Sequence, residues 1–409
     1  MSIIKEINAH EIRDSRGKPT VEVEIVTGNG SFIASCPSGA STGKNEALEL
    51  RDADGIGVLT AIKNVNEIIA PKLKGKNPEN QKELDELMIA LDGTPNKSKL
   101  GANAILPISM AICRAGAASK KIPLYQHISE IGNWKLVIGN FKMPLPGFNF
   151  LEGGRHAEGR NKLEMQEFMV IPQKKSFREN LILGSQIFEK FKENIIKNYG
   201  ADVPMSDEGA FAPQTSKVEP ILFMLKSAIG PSEAGIALDC AASEFYNNGK
   251  YVLEGKEFSR QELLEFYKDL IDRFPIISIE DPFSEDDWTG FEELKKALPG
   301  TIIIGDDLTT TNIAKIKEAE SKKACNGIII KLNQIGTVSE TIEAVKLAQS
   351  YGWKIMVSHR SGETMDNFIA DLAVGVGADF IKSGAYTKDE RKVKYDRLLE
   401  IENELSKNK

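Results

Sequence analysis

IALDC (236–240), IISIED (276–281), IIIGDD (302–307), IIIKLN (328–333), IMVSHR (355–360) and FIKSG (380–384) carry the architecture of this chain. Each is a short apolar run that ends in a charged or histidine side chain: Asp239, Glu280, Asp306, Lys331, His359 and Lys382. Successive members lie roughly 23 to 41 residues apart, about the length of one strand, loop and helix. A parallel strand buried on both faces reads as an Ile/Val/Leu run bounded by turn residues. Repeated strand-helix units close a (β/α)8 TIM-type barrel, whose chemistry sits at the C-terminal strand ends. The six terminal residues are therefore candidate site residues: three acids, a lysine, a histidine and a second lysine.

The region ahead of these runs has a different texture. IIKEINAHEI, TVEVEIVTG and GSFIASC read as strands, with turns at Asp14–Gly17 and Gly28–Gly30. Helical periodicity follows in Leu59–Leu73, Gln81–Leu91 and Ala102–Ser119. Strands followed by helices predict an α+β capping domain over residues 1–138, with the barrel over 139–409 and a Pro/Gly linker at Gly139–Gly147. A chain of 409 residues is long enough for both. The composition, 41% hydrophobic and 27% charged, is that of a soluble globular chain. Its net charge of −7 argues against general nucleic-acid binding. No apolar stretch reads as a signal peptide or membrane span. Cys36, Cys113, Cys240 and Cys325 are far apart and form no CxxC pair, so reduced thiols in a cytoplasmic protein are expected.

Asp239, Glu280 and Asp306 would repel one another if they met bare at a barrel mouth. A hard dication relieves this, and an all-oxygen donor set suits Mg²⁺; helix caps or ion pairs are the competing reading. Lys331, at a strand end near other cations, is a candidate base with a lowered pKa. With Lys382 it points to an anionic substrate, whereas either lysine alone reads more readily as a snorkelling surface residue. Arg360 beside Ser361 suits a phosphate. Three segments fall outside the rhythm: SGASTG (38–43), GGRHAEGRNKLEMQE (153–167) and SDEGAFAP (206–213), which hold His156, Gln166, Glu167 and Glu208. His10 and His127 are given no role.

The chain resembles the enolase family nearly end to end. The resemblance is carried by DSRGKPTVEVE (14–24), PSGASTGKNEALELRD (37–52), NKSKLGANAIL (96–106), QEFM (166–169), DEGAFAP (207–213), LDCAASEFY (238–246), SIEDPF (278–283), GDDLTTTN (305–312), IKLNQIGT (330–337), SHRSGET (358–364) and IKSGA (381–385). It implies the enolase kind of barrel and the reversible dehydration of 2-phosphoglycerate to phosphoenolpyruvate. It further implies Asp239, Glu280 and Asp306 as ligands of one Mg²⁺, and Ser41 as a backbone ligand of a second. Lys331 would be the base at C2 and Glu208 the acid at the 3-hydroxyl, with Glu167 beside it. Lys382 would meet the substrate carboxylate, and Arg360 and Ser361 the phosphate. Gln166, His156 and His359 would line the pocket. A homodimer, or an octamer built from dimers, is implied as well. The sequence departs from the family at Glu152, where Asn is usual, at Ala210 in place of a glycine and at Met365 in place of an acid. The stretch from His156 to Glu167 is also about two residues longer than usual. Altered loops would equally suit a relative acting on another 2-phospho or 2-hydroxy acid, and a non-catalytic scaffold is a third reading, against which the retained charged set counts.

Overall fold

A computed structural model describes residues 2–40, 43–134, 141–157, 159–160 and 162–407. Strands β1 (Glu6–Arg13), β2 (Pro19–Thr27) and β3 (Gly30–Ser35) form an antiparallel sheet in that order. Alternation along β2 buries Val21, Val23 and Ile25, and the sheet packs on the helix Ala102–Lys120. That helix is apolar almost all round and buried over most of its length, as expected of one enclosed on several sides. The helix read from Leu59 to Leu73 is present, but its middle, Asn64–Ile69, is wound as a π-helix. There Asn66 turns its amide onto the backbone of Ala9 in β1, accepting at 2.8 Å and donating at 3.2 Å.

The barrel consists of β4 (Leu145–Glu152), β5 (Glu167–Pro172), β6 (Ala234–Asp239), β7 (Ile276–Glu280), β8 (Ile302–Gly305), β9 (Gly327–Ile330), β10 (Lys354–Ser358) and β11 (Phe380–Lys382). It is closed, with β11 pairing back onto β4. Met169, Ile171, Ala237, Ile304, Ile329, Met356 and Phe380 fill one interior cluster. All six runs that open the sequence argument end on or beside these strands.

Strict strand-helix alternation does not hold at the start of the barrel. β4 and β5 are joined by a loop with, among the described residues, a single 3₁₀ turn, Gly154–Ala157, and β5 runs antiparallel to both β4 and β6. Two helices, Phe177–Tyr199 and Val218–Ile229, then lead into β6. The connection between β4 and β5 carries Gly153, Gly154 and Gly159 and, among the described residues, no crossover helix, the usual link of a parallel pair. The consequence for the site is direct: the first residue of β5, and not its last, lies at the barrel mouth.

Register then produces a row of acids. Glu152 pairs with Glu167, Glu167 with Asp239, and Asp239 with Glu280 across β4, β5, β6 and β7. Residues paired across neighbouring strands present their side chains on the same face. Four carboxylates thus stand side by side at one end of the barrel.

Candidate active site

Lys382 closes over three of the four. Its ammonium lies 3.0 Å from Glu167 Oε2, 3.2 Å from Asp239 Oδ2 and 2.7 Å from Glu280 Oε2. All four groups are buried. Burial, then Asp239, pushes the Glu280 carboxyl well above its ordinary range. The surrounding carboxylates drive the Lys382 ammonium well above its own ordinary value despite burial.

Asp306 lies one residue beyond β8 and belongs to a second acidic group with Asp281 and Asp307. Lys331 Nζ makes a short ion pair with Asp306 Oδ2, and Gln334 Nε2 donates to Oδ1 at 2.9 Å. Burial raises the Asp306 carboxyl, but Lys331 and Lys382 outweigh it and hold the group low. Lys331 departs from the sequence expectation of a lowered pKa. Burial does pull it down, as do Arg360 and Lys382, yet the contact with Asp306 prevails and raises it. A nearby anion favours the charged amine more than these influences disfavour it.

Glu208 lies beyond the row, on a loop that Ser206 braces by accepting from the Glu208 and Ala210 amides at 3.2 and 3.0 Å. His359 Nε2 bonds Glu208 Oε2, and His359 Nδ1 lies 2.9 Å from the Lys382 carbonyl. His156 Nδ1 is 3.3 Å from Glu167 and 3.5 Å from Glu208. Burial raises Glu208, but His156, His359 and Arg391 together hold it well below the usual carboxylate range.

Arg360 is held by Glu46 of the cap at 2.8 Å and by Asn333 at 3.0 Å. Ser361 Oγ accepts from Arg16 of the cap at 3.4 Å, and Arg391 donates to the carbonyls of Arg360 and Ser361 at 2.7 and 2.6 Å. Gln166 is buried, and its side-chain oxygen has no hydrogen-bond partner among the described residues.

One cleft gathers His156, Gln166, Glu167, Glu208, Asp239, Lys331, His359, Arg360, Ser361 and Lys382, with Ala40 of the cap loop at its edge. Its free interior is about 20 Å³, room for about one water, because the ion pairs fill it. Larger clefts, of about 520 and 620 Å³, contain none of these residues. Glu280 and Asp306 enter the site through Lys382 and Lys331. Ser41 lies outside the described residues. Sequence reasoning gave no role to Arg16, Glu46, Asn149, Glu152, Asn333, Gln334 or Arg391. Only Glu152 left a usable signal, since LPGFNFLE (145–152) also ends an apolar run in an acid.

The family model for the enolase N-terminal domain matches residues 4–128, and that for the enolase C-terminal TIM barrel domain matches residues 140–409. The chain is also 48% identical to the enolase of Elusimicrobium minutum (strain Pei191), over 100% of this chain and 97% of that protein. The chain belongs to the enolase family. It is accordingly an enzyme, a lyase of the phosphopyruvate hydratase kind.

Two departures from the family pattern now have a physical account. Gly209 takes a φ of +84°, and a Cβ there would meet Thr387 Oγ1, so this position requires glycine. Ala210 is buried, and its φ is not among the positive values, so a second glycine is unnecessary. Met365 is exposed at the rim of the 520 Å³ cleft and apart from the site. The donor set suits a hard dication. Asp239, Glu280 and Asp306 offer only oxygen, are buried, and include one carboxyl raised by burial and then by its like-charged neighbours.

Proposed function

We propose that this protein dehydrates 2-phosphoglycerate to phosphoenolpyruvate, reversibly and with Mg²⁺, using Lys331 as base and Glu208 as acid. The observation that carries this is the convergence of Lys331, Lys382, Glu208, Arg360 and Asp239 on one small buried cleft, each from a different strand end or loop. Asp239, Glu280 and Asp306 would hold one Mg²⁺, and the cap loop at Ser41 a second. Bound there, the ions supply positive charge to the substrate carboxylate as the C2 proton leaves it electron-rich.

The chain's own groups do the rest. Lys331 accepts the C2 proton once Asp306 no longer faces its ammonium, because burial, Arg360 and Lys382 all favour the neutral amine. Lys382 presents its charge to the substrate carboxylate. Arg360 and Ser361 hold the phosphate, with Arg16 at their side. His156, His359 and Gln166 line the pocket, and Glu167 stands beside Glu208. The C3–O bond then breaks as Glu208 delivers a proton to the hydroxyl, and water departs.

The test is formation of phosphoenolpyruvate, followed by absorbance with and without Mg²⁺. Lys331→Ala lowers kcat by about 10²–10⁴-fold with Mg²⁺ binding intact. Glu208→Gln blocks dehydration but keeps exchange of the C2 proton with solvent. Near-normal turnover by Lys331→Ala removes the base assignment. Dehydration by Glu208→Gln without exchange reverses the two roles. A homodimer or a ring of dimers, in the cytoplasm, completes the reading. Exposed Ile33 and Met365 beside the cleft at Arg114 support the first, and four buried free thiols the second.

A further inference from the structure

Glu152 is the fourth acid of the row, and the mechanism gives it no part. It is fully buried, as is Glu208. A single amide joins the two: Asn149 Nδ2 donates to Glu152 Oε1 at 2.6 Å and to Glu208 Oε2 at 3.1 Å. On the other side both carboxylates face the same ring nitrogen, His156 Nδ1, at 3.8 and 3.5 Å. One oxygen each of Glu152, Glu167 and Glu208 and one nitrogen of His156 lie within 4.8 Å of one another. Glu208 Oε1 is buried without a hydrogen-bond partner among the described residues. Lys382 is engaged by Glu167, Asp239 and Glu280.

We propose that Glu152 and Glu208 carry one proton between them, with Glu152 as a positioning residue that lodges the proton Glu208 passes to the leaving hydroxyl. This rests on the assignment of Glu208 as the acid. Two carboxylates this close in a dry site do not both ionise. Among the described residues, Asn149 on its own strand, His156 in the turn that follows, Glu167 on β5, and Ser206 and Glu208 on the neighbouring loop face Glu152. Burial, then Glu208, then Glu167 push the Glu152 carboxyl well above its ordinary range, while Glu208 is held low. At rest the proton is therefore on Glu152. In the step it moves from the Glu152 carboxyl to the Glu208 carboxylate. Glu208 then gives it to the C3 hydroxyl oxygen as the C–O bond breaks, leaving Glu152 ionised until the cluster takes up a proton again. No oxidant, reductant or other reactant is needed.

The experiment compares the full-length, Mg²⁺-loaded wild type with Glu152→Gln and Glu208→Gln. Gln copies the shape of a neutral glutamic acid and holds no transferable proton. The expected result for Glu152→Gln is a KM within about twofold of wild type and a kcat at neutral pH at least tenfold lower. The alkaline limb of its kcat profile moves toward acid by about one pH unit, because Glu208 now titrates alone. C2 exchange is retained, and Glu152→Asp recovers part of the profile. A purely structural Glu152 leaves the profile of Glu152→Gln unmoved, and that overturns the inference while a dead Glu208→Gln keeps the reading beneath it. Full dehydration by Glu208→Gln overturns both. A second measurement does not depend on any variant folding. The infrared spectrum of glutamate-labelled wild type at neutral pH should contain the carbonyl band of a protonated carboxyl, and its absence refutes the proposal.

Discussion

Replacing Lys382 by methionine keeps an unbranched stem one atom shorter and removes the charge. The ammonium makes contacts of 2.7–3.2 Å with three buried carboxylates, and no solvent screens them. Breaking a buried pair costs about 3–5 kcal/mol, since the partner charge is left uncompensated. The barrel spans the 270 residues from 140 to 409. At about 2.1 cal/mol/K of unfolding entropy per residue, that loss lowers Tm by roughly 5–9 °C. The assay is a thermal melt in chelator, followed over a Mg²⁺ titration. In chelator Lys382→Met melts 5–9 °C below wild type on this reasoning. Mg²⁺ at about 1,000 times its Kd stabilises by about 4 kcal/mol. On the proposed ligand set the ion displaces Lys382 from Asp239 and Glu280 in wild type, and in the variant it meets bare acids. The gap should therefore shrink to less than half when Mg²⁺ saturates. A melt within about 1 °C of wild type in chelator refutes the role of Lys382 as the counter-ion of the row. A gap that Mg²⁺ leaves unchanged refutes Asp239 and Glu280 as ligands.

His127 is buried in the cap with neither ring nitrogen hydrogen-bonded among the described residues, and burial with Lys120 nearby lowers its pKa to about 4. The unfolded chain takes up this proton below about pH 6.5 while the folded chain refuses it until about 4, so stability falls as pH drops through that window by about 3 kcal/mol. Melts at pH 7 and pH 4 should differ by that much less in His127→Leu than in wild type. Gly209→Ala forces a Cβ toward Thr387 at a φ of +84° and should cost about 1–3 kcal/mol with reduced turnover. Ala210→Gly, next to it, should change kcat by less than about twofold, because Ala210 carries no backbone strain.

The barrel was legible because buried parallel strands are apolar to their last residue and the chemistry begins where the apolar run stops. Seven of the predicted site residues lie on or beside such ends: Asp239, Glu280, Asp306, Lys331, His359, Arg360 and Lys382. The direction of β5 was not legible from its residues. EFMVIP is apolar whichever way it runs, and only the connection decides. The signal lay in the Gly-rich loop before it, which lacks helical periodicity and so cannot cross the barrel. Reversal of that one strand puts Glu167 at the mouth, next to Asp239 in register. Glu46 and Arg16 of the cap were invisible for a different reason. Their contacts with Arg360 and Ser361 span more than 300 residues of chain, and no periodicity encodes such a pairing.

Four carboxylates in register with one lysine do not make a stable arrangement by themselves. At each end of the row a different small cation can resolve the excess. Asp239 and Glu280 lie toward Asp306, where oxygen donors on separate strands suit a dication. Glu152 and Glu167 lie toward Glu208 and His156, where the groups are crowded closely enough to share a proton. An amide in place of Glu152 would remove one negative charge and with it the need for that proton. On the proposed reading, Glu208 titrates with Glu152 as a pair, and the pH range of the enzyme follows the pair and not Glu208 alone.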